Sequence, residues 1–181
     1  MSFIRDLSNR TVWLIIGLCL ALAAGFWMYM HRPKTLPAIA FKDGEGQTVD
    51  LEALRAGKEH TLLVFLLPGC PISKFSMGLV QEQYQKWSPQ VSFAGVMLSS
   101  QQSADQFAEK EELDFPVYGL RDATDPFAIN EIIGAIGSSG GTRATLYGGT
   151  IVVVDEDRKV VLNLSRDELR GLPDELASLV D

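Results

Sequence analysis

The chain is poor in cysteine and histidine: its 181 residues hold two of each, Cys19, Cys70, His31 and His60. Two cysteines cannot build the disulfide framework of a small secreted scaffold. Four such residues scattered along the chain give no metal-ligand spacing, so no metal site is expected. The glycine-rich stretch Gly137-Ser138-Ser139-Gly140-Gly141 lacks the lysine of a phosphate loop and reads as a flexible loop. No cofactor is expected, and no internal repeat is visible. Basic side chains are also scarce, 16 against 23 acidic. Arg5, Arg10, Arg32 and Lys34, with Asp6, lie before residue 36; the remainder carries twelve basic and 22 acidic groups, a charge of −10. Such a body repels phosphates, which excludes nucleic acid as a partner. Its acidity reads as a soluble surface.

What is present is enough for one packed domain. Hydrophobic residues make up 46% and charged residues 22%, the balance of a globular chain. The apolar residues are concentrated first in 11–30, TVWLIIGLCLALAAGFWMYM, which contains no charge. Twenty such residues can cross a bilayer as a helix. Trp13 near one end, and Trp27 and Tyr29 near the other, match interfacial rings. The expected organisation is a cytoplasmic tail over 1–10, a transmembrane anchor over 11–30, a linker over 31–36 and a folded domain over 37–181. A short leading tail and a large following domain favour a single pass of the cell inner membrane, with the domain facing the periplasm or cell exterior. The competing reading is a cleaved signal peptide, since Ala21-Leu22-Ala23 resembles a cleavage site. The apolar run continues past it to Met30, which favours the uncleaved anchor. Cys19 lies inside this span and reads as a small apolar residue. His31 belongs at its edge.

Beyond the linker, two extended segments (38–42 and 47–50) flank the turn Asp43-Gly44-Glu45-Gly46. A helical turn over 51–56 and a buried strand over 62–67 follow. A helix is expected over 71–87, with Ile72, Phe75 and Leu79 on one stripe and Val80, Tyr84 and Trp87 beside it, all packed in the core. A second apolar strand covers 91–98. Ser103 to Gln106 reads as a capping box opening a helix to about Leu113. Asp125-Pro126 reads as the start of a helix through Ile133. Two strands, 151–154 and 159–164, form a hairpin around Asp155-Glu156-Asp157. Ser165 to Glu168 is a second capping box. Leu172, Leu176 and Leu179 predict a terminal amphipathic helix, its start broken by Gly171 and Pro173.

Chemistry concentrates in Thr61 to Phe75, TLLVFLLPGCPISKF. An apolar strand runs into a Pro68-Gly69 turn, then Cys70, then Pro71, a residue suited to the first turn of a helix. A thiol there faces unpaired backbone N–H groups and the positive end of the helix dipole. Both favour the thiolate, which is the reactive form. The competing reading is an inert buried cysteine. His60 begins the same strand, up to about 33 Å of extended chain from Cys70. It is expected on the surface at the opposite pole. Lys74 reads as a solvated helix-surface residue.

Two βα steps followed by a hairpin and a last helix give an α/β fold, a mixed sheet flanked by helices. This order resembles the thioredoxin-like superfamily in its redoxin (TlpA, AhpC-TSA) branch. The resemblance rests on Leu36-Pro37, Asp43-Gly44 before Val49-Asp50-Leu51, the Phe65-to-Cys70 spacing, Phe115-Pro116-Val117 and Val154-Asp155-Glu156-Asp157. Val64 to Lys74 looks most like the MauD-type proteins, membrane-anchored thioredoxin-like proteins thought to help mature a disulfide-rich enzyme. Pro68-Gly69-Cys70 also resembles the loop of bacterioferritin-comigratory-type peroxiredoxins.

The resemblance makes Cys70 the nucleophile and puts Ser73 where a dithiol enzyme has its second cysteine. Both are candidate catalytic residues. It makes Pro68, Gly69, Pro71, Gly149 and Thr150 candidate substrate-binding positions. Gly149 falls in the slot of the family's cis-proline or arginine, and Arg143 lies six residues off that register. Leu67 stands where a peroxiredoxin needs threonine or serine. A serine hydroxyl cannot resolve a mixed disulfide, so another thiol must do so. The expectation is monothiol redox chemistry at Cys70 on a protein thiol or disulfide partner, or within a membrane complex. The alternatives are a non-catalytic assembly or accessory subunit, and a weak thiol peroxidase.

Overall fold

The computed structural model describes residues 2–30, 34–97, 99–120, 132, 134–136, 148–165 and 167–180, and within the first helix the side chains of 13–27 only. The chain forms two compact units, 1–33 and 34–181.

The first unit is a helix, α1 (Ser2–Met30). Its described apolar side chains, among them Trp13, Leu14, Leu18, Leu22 and Phe26, are exposed. The anchor expected over 11–30 is therefore part of a longer helix. Among the described residues no helix is long and apolar enough to cross a membrane. The described side chains, 13–27, are fewer than the roughly 20 residues that a crossing takes.

The second unit opens with an antiparallel pair, β1 (Ala40–Lys42) and β2 (Thr48–Asp50). Its turn forms because the Asp43 carboxylate accepts the N–H groups of Glu45 and Gln47, at 3.0 and 2.7 Å. Asp50 then caps α2 (Leu51–Arg55) by accepting Ala53 N–H at 2.7 Å.

The main sheet is built on β3 (His60–Leu66), every residue of which is buried. It is followed by α3 (Pro71–Trp87), β4 (Val91–Met97), α4 (Gln101–Lys110), β5 (Val117–Gly119), β6 (Ile151–Val154), β7 (Val160–Leu164) and α5 (Leu172–Val180). The strand order is β5-β4-β3-β6-β7. β3, β4 and β5 run parallel, and β6 is antiparallel to both β3 and β7. Alternate residues of β3 serve two cores. Leu62, Val64 and Leu66 pack with Met77, Val80, Leu172 and Leu176. Leu63 and Phe65 pack with Leu36, Phe41, Leu51 and Ile132. Each fully buried Leu or Phe side chain contributes about 1.5–3 kcal/mol, so this strand fixes the fold.

Several local readings shift in the structure. The cap of α4 is Ser100, whose hydroxyl accepts Ser103 N–H at 3.4 Å, so the box at Ser103 is not the start. The helix ends at Lys110, and Glu112 turns left-handed just beyond. His60 is not on the surface. It pairs with Val91 as the first residue of β3 and is 9% exposed. Phe75 leaves the core and is 47% exposed. The face that α3 buries is Ser73, Ser76, Met77, Val80 and Gln83, while Ile72, Leu79, Tyr84 and Trp87 are partly buried against it. Ser165 N–H and hydroxyl both donate to Glu168, at 3.0 and 2.9 Å, ahead of a 3₁₀ turn at Leu169–Gly171. The helix expected over 125–133 falls mostly, and the loop 137–141 and Arg143 wholly, outside the described residues.

Candidate functional site

In a sheet with parallel strands, ligands meet the carboxyl ends of the strands. Cys70 lies there, four residues beyond the end of β3. Leu67-Pro68-Gly69-Cys70 is a tight turn closed by Cys70 N–H donating to Leu67 C=O at 3.1 Å. Gly69 has φ of +76°. Proline followed by a positive-φ glycine is the chemistry of a type II turn. The turn delivers Cys70 to the N-cap of α3 in an extended conformation, φ −82° and ψ 121°, with Pro71 in the first turn. Cys70 C=O accepts Lys74 N–H at 3.1 Å, which starts the helix.

The thiol is partly exposed and is not in a disulfide. Leu67, Pro68, Gly69, Pro71, Lys74 and Phe75 around it in the chain are exposed. The first turn of α3 has no acidic residue. The helix end and Lys74 thus present positive potential with no carboxylate on that turn to offset it. This arrangement suits a thiolate nucleophile.

Ser73 is placed differently from the exposed loop. It is 2% exposed, and its Oγ accepts Leu67 N–H at 2.9 Å. One turn on, Ser76 is fully buried; its hydroxyl donates toward Gly149 C=O at 2.7 Å and Ile72 C=O at 3.0 Å. Gly149 and Thr150 continue the pairing of β6 with β3. Gly149 N–H donates to Phe65 C=O, and Phe65 N–H to Thr150 C=O at 2.8 Å. The structure therefore brings Cys70, Ser73, Gly149 and Thr150 to one end of the sheet. Among the described residues no peptide bond is cis. At the cis-proline slot the chain has Gly149 with φ of +99°, a conformation that glycine adopts at little cost.

Two participants were not singled out by sequence reading: Ser76 and Gly148. A Cβ at 148 would lie 2.5 Å from the Ser73 hydroxyl and 2.6 Å from Leu67 Cβ. The signals available were the Ser73/Ser76 spacing on one helix face and the Gly148-Gly149 pair just before β6. A separate cavity of about 370 Å³, lined by Asp50, Arg55, Thr61, Asp155 and Arg158, contains none of these site residues. Among the described residues no cluster of His, Cys, Asp and Glu could hold a metal.

A cysteine at the N-cap that follows the central strand of a β5-β4-β3-β6-β7 sheet defines a thioredoxin-like protein. The family model for redoxins matches residues 33–174, and the chain belongs to the Redoxin family. Solved structures agree on the fold. A thiol:disulfide interchange protein from Bacteroides sp. is 16% identical, with a TM-score of 0.60 over 81% of this chain and 90% of that one. The thioredoxin domain of a thiol-disulfide oxidoreductase from Bacteroides vulgatus is 19% identical, with a TM-score of 0.60 over 82% and 97%. Peroxidoxin BcpB from Mycobacterium tuberculosis is 18% identical, with a TM-score of 0.58 over 82% and 97%. No match is found among curated protein sequences.

Proposed function

We propose that this protein performs thiol–disulfide exchange through a single thiol, Cys70, acting on a partner protein. The observation that carries the reading is the partly exposed Cys70 at the N-cap of α3, with a buried serine at the position three residues on. The Cys70 thiolate attacks one sulfur of a partner disulfide. A Cys70–partner disulfide forms, and the other partner sulfur leaves as a thiolate. A second thiol, from the partner or a separate reductant, then attacks the mixed disulfide and returns Cys70 to the thiol. The chain itself supplies no resolving group, because Ser73 is a hydroxyl and Cys19 is expected in the anchor.

Blocking thiols rapidly in cells and capturing the protein should yield a Cys70-dependent mixed disulfide that reductant releases. Its absence, with Cys70 unlabelled by alkylating agents in the native protein, would leave the fold without thiol chemistry. A stable complex that survives Cys70→Ser would favour the accessory-subunit reading. That reading draws on Gly149, which packs on α3 through Ser76 where the family docks substrates. Peroxide consumption with an external thiol would select the peroxidase reading, against which Leu67 stands, having no hydroxyl to hold peroxide.

We further infer that 11–30 anchors the protein in the inner membrane with 37–181 outside. The exposed apolar side chains of α1 support this, since so much apolar surface calls for a lipid or protein cover. Reporter fusions after Lys34 should behave as exported, and a mature protein beginning near residue 24 would overturn the anchor.

A further inference from the structure

Leu67 is the first residue of the turn that carries Cys70, and both of its backbone groups are committed. Its C=O accepts Cys70 N–H at 3.1 Å, and its N–H donates to the Ser73 hydroxyl at 2.9 Å. Pro68 and Gly69 between them fix the path of the turn, and among the described residues neither makes a backbone hydrogen bond to α3. Ser73 supplies that tie from the third position of the helix. The Ser73 end is enclosed: Ser73 is 2% exposed, and Gly148 lies over it with no room for a Cβ, which would come within 3.2 Å of Leu67 N as well. On that side solvent is poorly placed to take over as acceptor, and leaving the part-buried Leu67 N–H unpaired is costly.

We propose that Ser73 is the positioning residue for Cys70: its hydroxyl, by accepting Leu67 N–H, locks the Leu67–Cys70 turn so that the thiol is held at the N-cap of α3. This rests on the reading of Cys70 as the reactive thiol. It gives the residue in the second-cysteine position a role that is neither nucleophilic nor resolving. A hydroxyl accepts strongly through its lone pairs, whereas a thiol is a weak acceptor and alanine is none. Serine thus holds the turn in a way that the dithiol version of the motif would not. The second hydroxyl, Ser76, one turn on along the same face, braces the helix against Gly149 C=O. The start of α3 is thus held by two serine ties, one to the residue that follows β3 and one to the segment entering β6.

The test is Ser73→Ala in the full-length protein, with two readouts. Amide exchange reports the tie itself, and Leu67 N–H should exchange at least about tenfold faster in the variant. The rate of Cys70 alkylation against pH reports its consequence. A thiol that drifts off the helix end loses part of the N-terminal stabilisation, so the midpoint should rise toward the free-thiol value and the rate at neutral pH should fall by about two- to fivefold. Ser73→Thr, which keeps the hydroxyl, should restore both. Loss of Leu67 protection with an unchanged Cys70 profile would overturn the proposal, since the bond would then be structural only. Unchanged protection would overturn it too. Should Ser73→Ala not fold, the wild type still decides: Leu67 N–H must be protected like Phe65 N–H within β3, and exchange at the rate of an open loop refutes the lock. If wild-type Cys70 itself reacts as an ordinary thiol while Leu67 is protected, it is the thiol-exchange reading that fails, not the tie.

Discussion

Gly149→Ala puts the geometry of the site at risk in a single atom. The backbone at 149 has φ of +99°, which an L side chain adopts at a cost of about 1–3 kcal/mol. The new Cβ would lie 2.7 Å from Ile72 Cγ2, 2.8 Å from Ser76 Oγ and 3.0 Å from Ile72 backbone carbon. Two of these neighbours cannot withdraw. Ile72 carbon is helix backbone, and Ser76 Oγ is held by its bond to Gly149 C=O at 2.7 Å. Displacing Ser76 leaves a buried carbonyl unpaired, worth about 1–3 kcal/mol. The sum is about 2–6 kcal/mol, and for a chain of this size it lowers the melting temperature by roughly 4–24 °C. Gly78→Ala is the control. Gly78 is exposed within α3, and a Cβ there meets nothing within 4 Å. Relief of glycine's entropy in a helix should raise stability by about 0.5–1 kcal/mol. The assay is thermal unfolding of the full-length variants followed by circular dichroism. If Gly149→Ala melts within about 1 °C of wild type while Gly78→Ala is stabilised, the packing of the 148–149 segment on α3 is wrong.

Ser73→Cys should form an internal disulfide with Cys70 and gain dithiol reductase or oxidase activity, and when reduced it should lose about 1–2 kcal/mol because sulfur is a poor acceptor for Leu67 N–H; thiol counting and melting of both redox forms check this, and failure to oxidise internally under strong oxidant would separate the two side chains. Native Cys70 should alkylate with a midpoint below the free-thiol value of roughly 8.5, and a midpoint at or above it would mark an inert cysteine. Glu168 is held below its ordinary carboxylate range by hydrogen bonds from Ser165, first the backbone N–H and then the hydroxyl. A depressed carboxyl contributes stability above its unfolded value that is lost as pH falls through its folded value. Glu168→Gln should therefore be less stable than wild type at neutral pH and approach it in acid, and a gap that stays constant as carboxylates protonate would exclude this contribution.

The sequence by itself determined what depends on neighbours along the chain. The apolar run Leu62–Leu66 in β3, the proline–glycine turn, cysteine as N-cap with proline after it, and the acidic turn between β6 and β7 are local patterns, and the hydrogen bonds of the turns and the cap close within a few residues. They suffice for the order of elements and for the place of Cys70 at a strand-to-helix switch. The roll of α3 was decided only by the tertiary structure. Periodicity finds the apolar stripe through Ile72, Phe75 and Leu79, yet the buried face is centred on Ser73, Ser76 and Val80. The reason is that this helix is held at its start by hydrogen bonds as well as by apolar area. The Ser76 hydroxyl reaches Gly149 across 73 positions of chain, and Ser73 holds the end of β3 beneath Gly148. Small hydroxyl side chains let backbone approach the helix closely there, which turns Phe75 outward. His60 follows the same logic, since its burial comes from pairing with Val91 on another strand. Contacts of that range are written in the packing of distant segments, and no pattern of spacing within one segment records them.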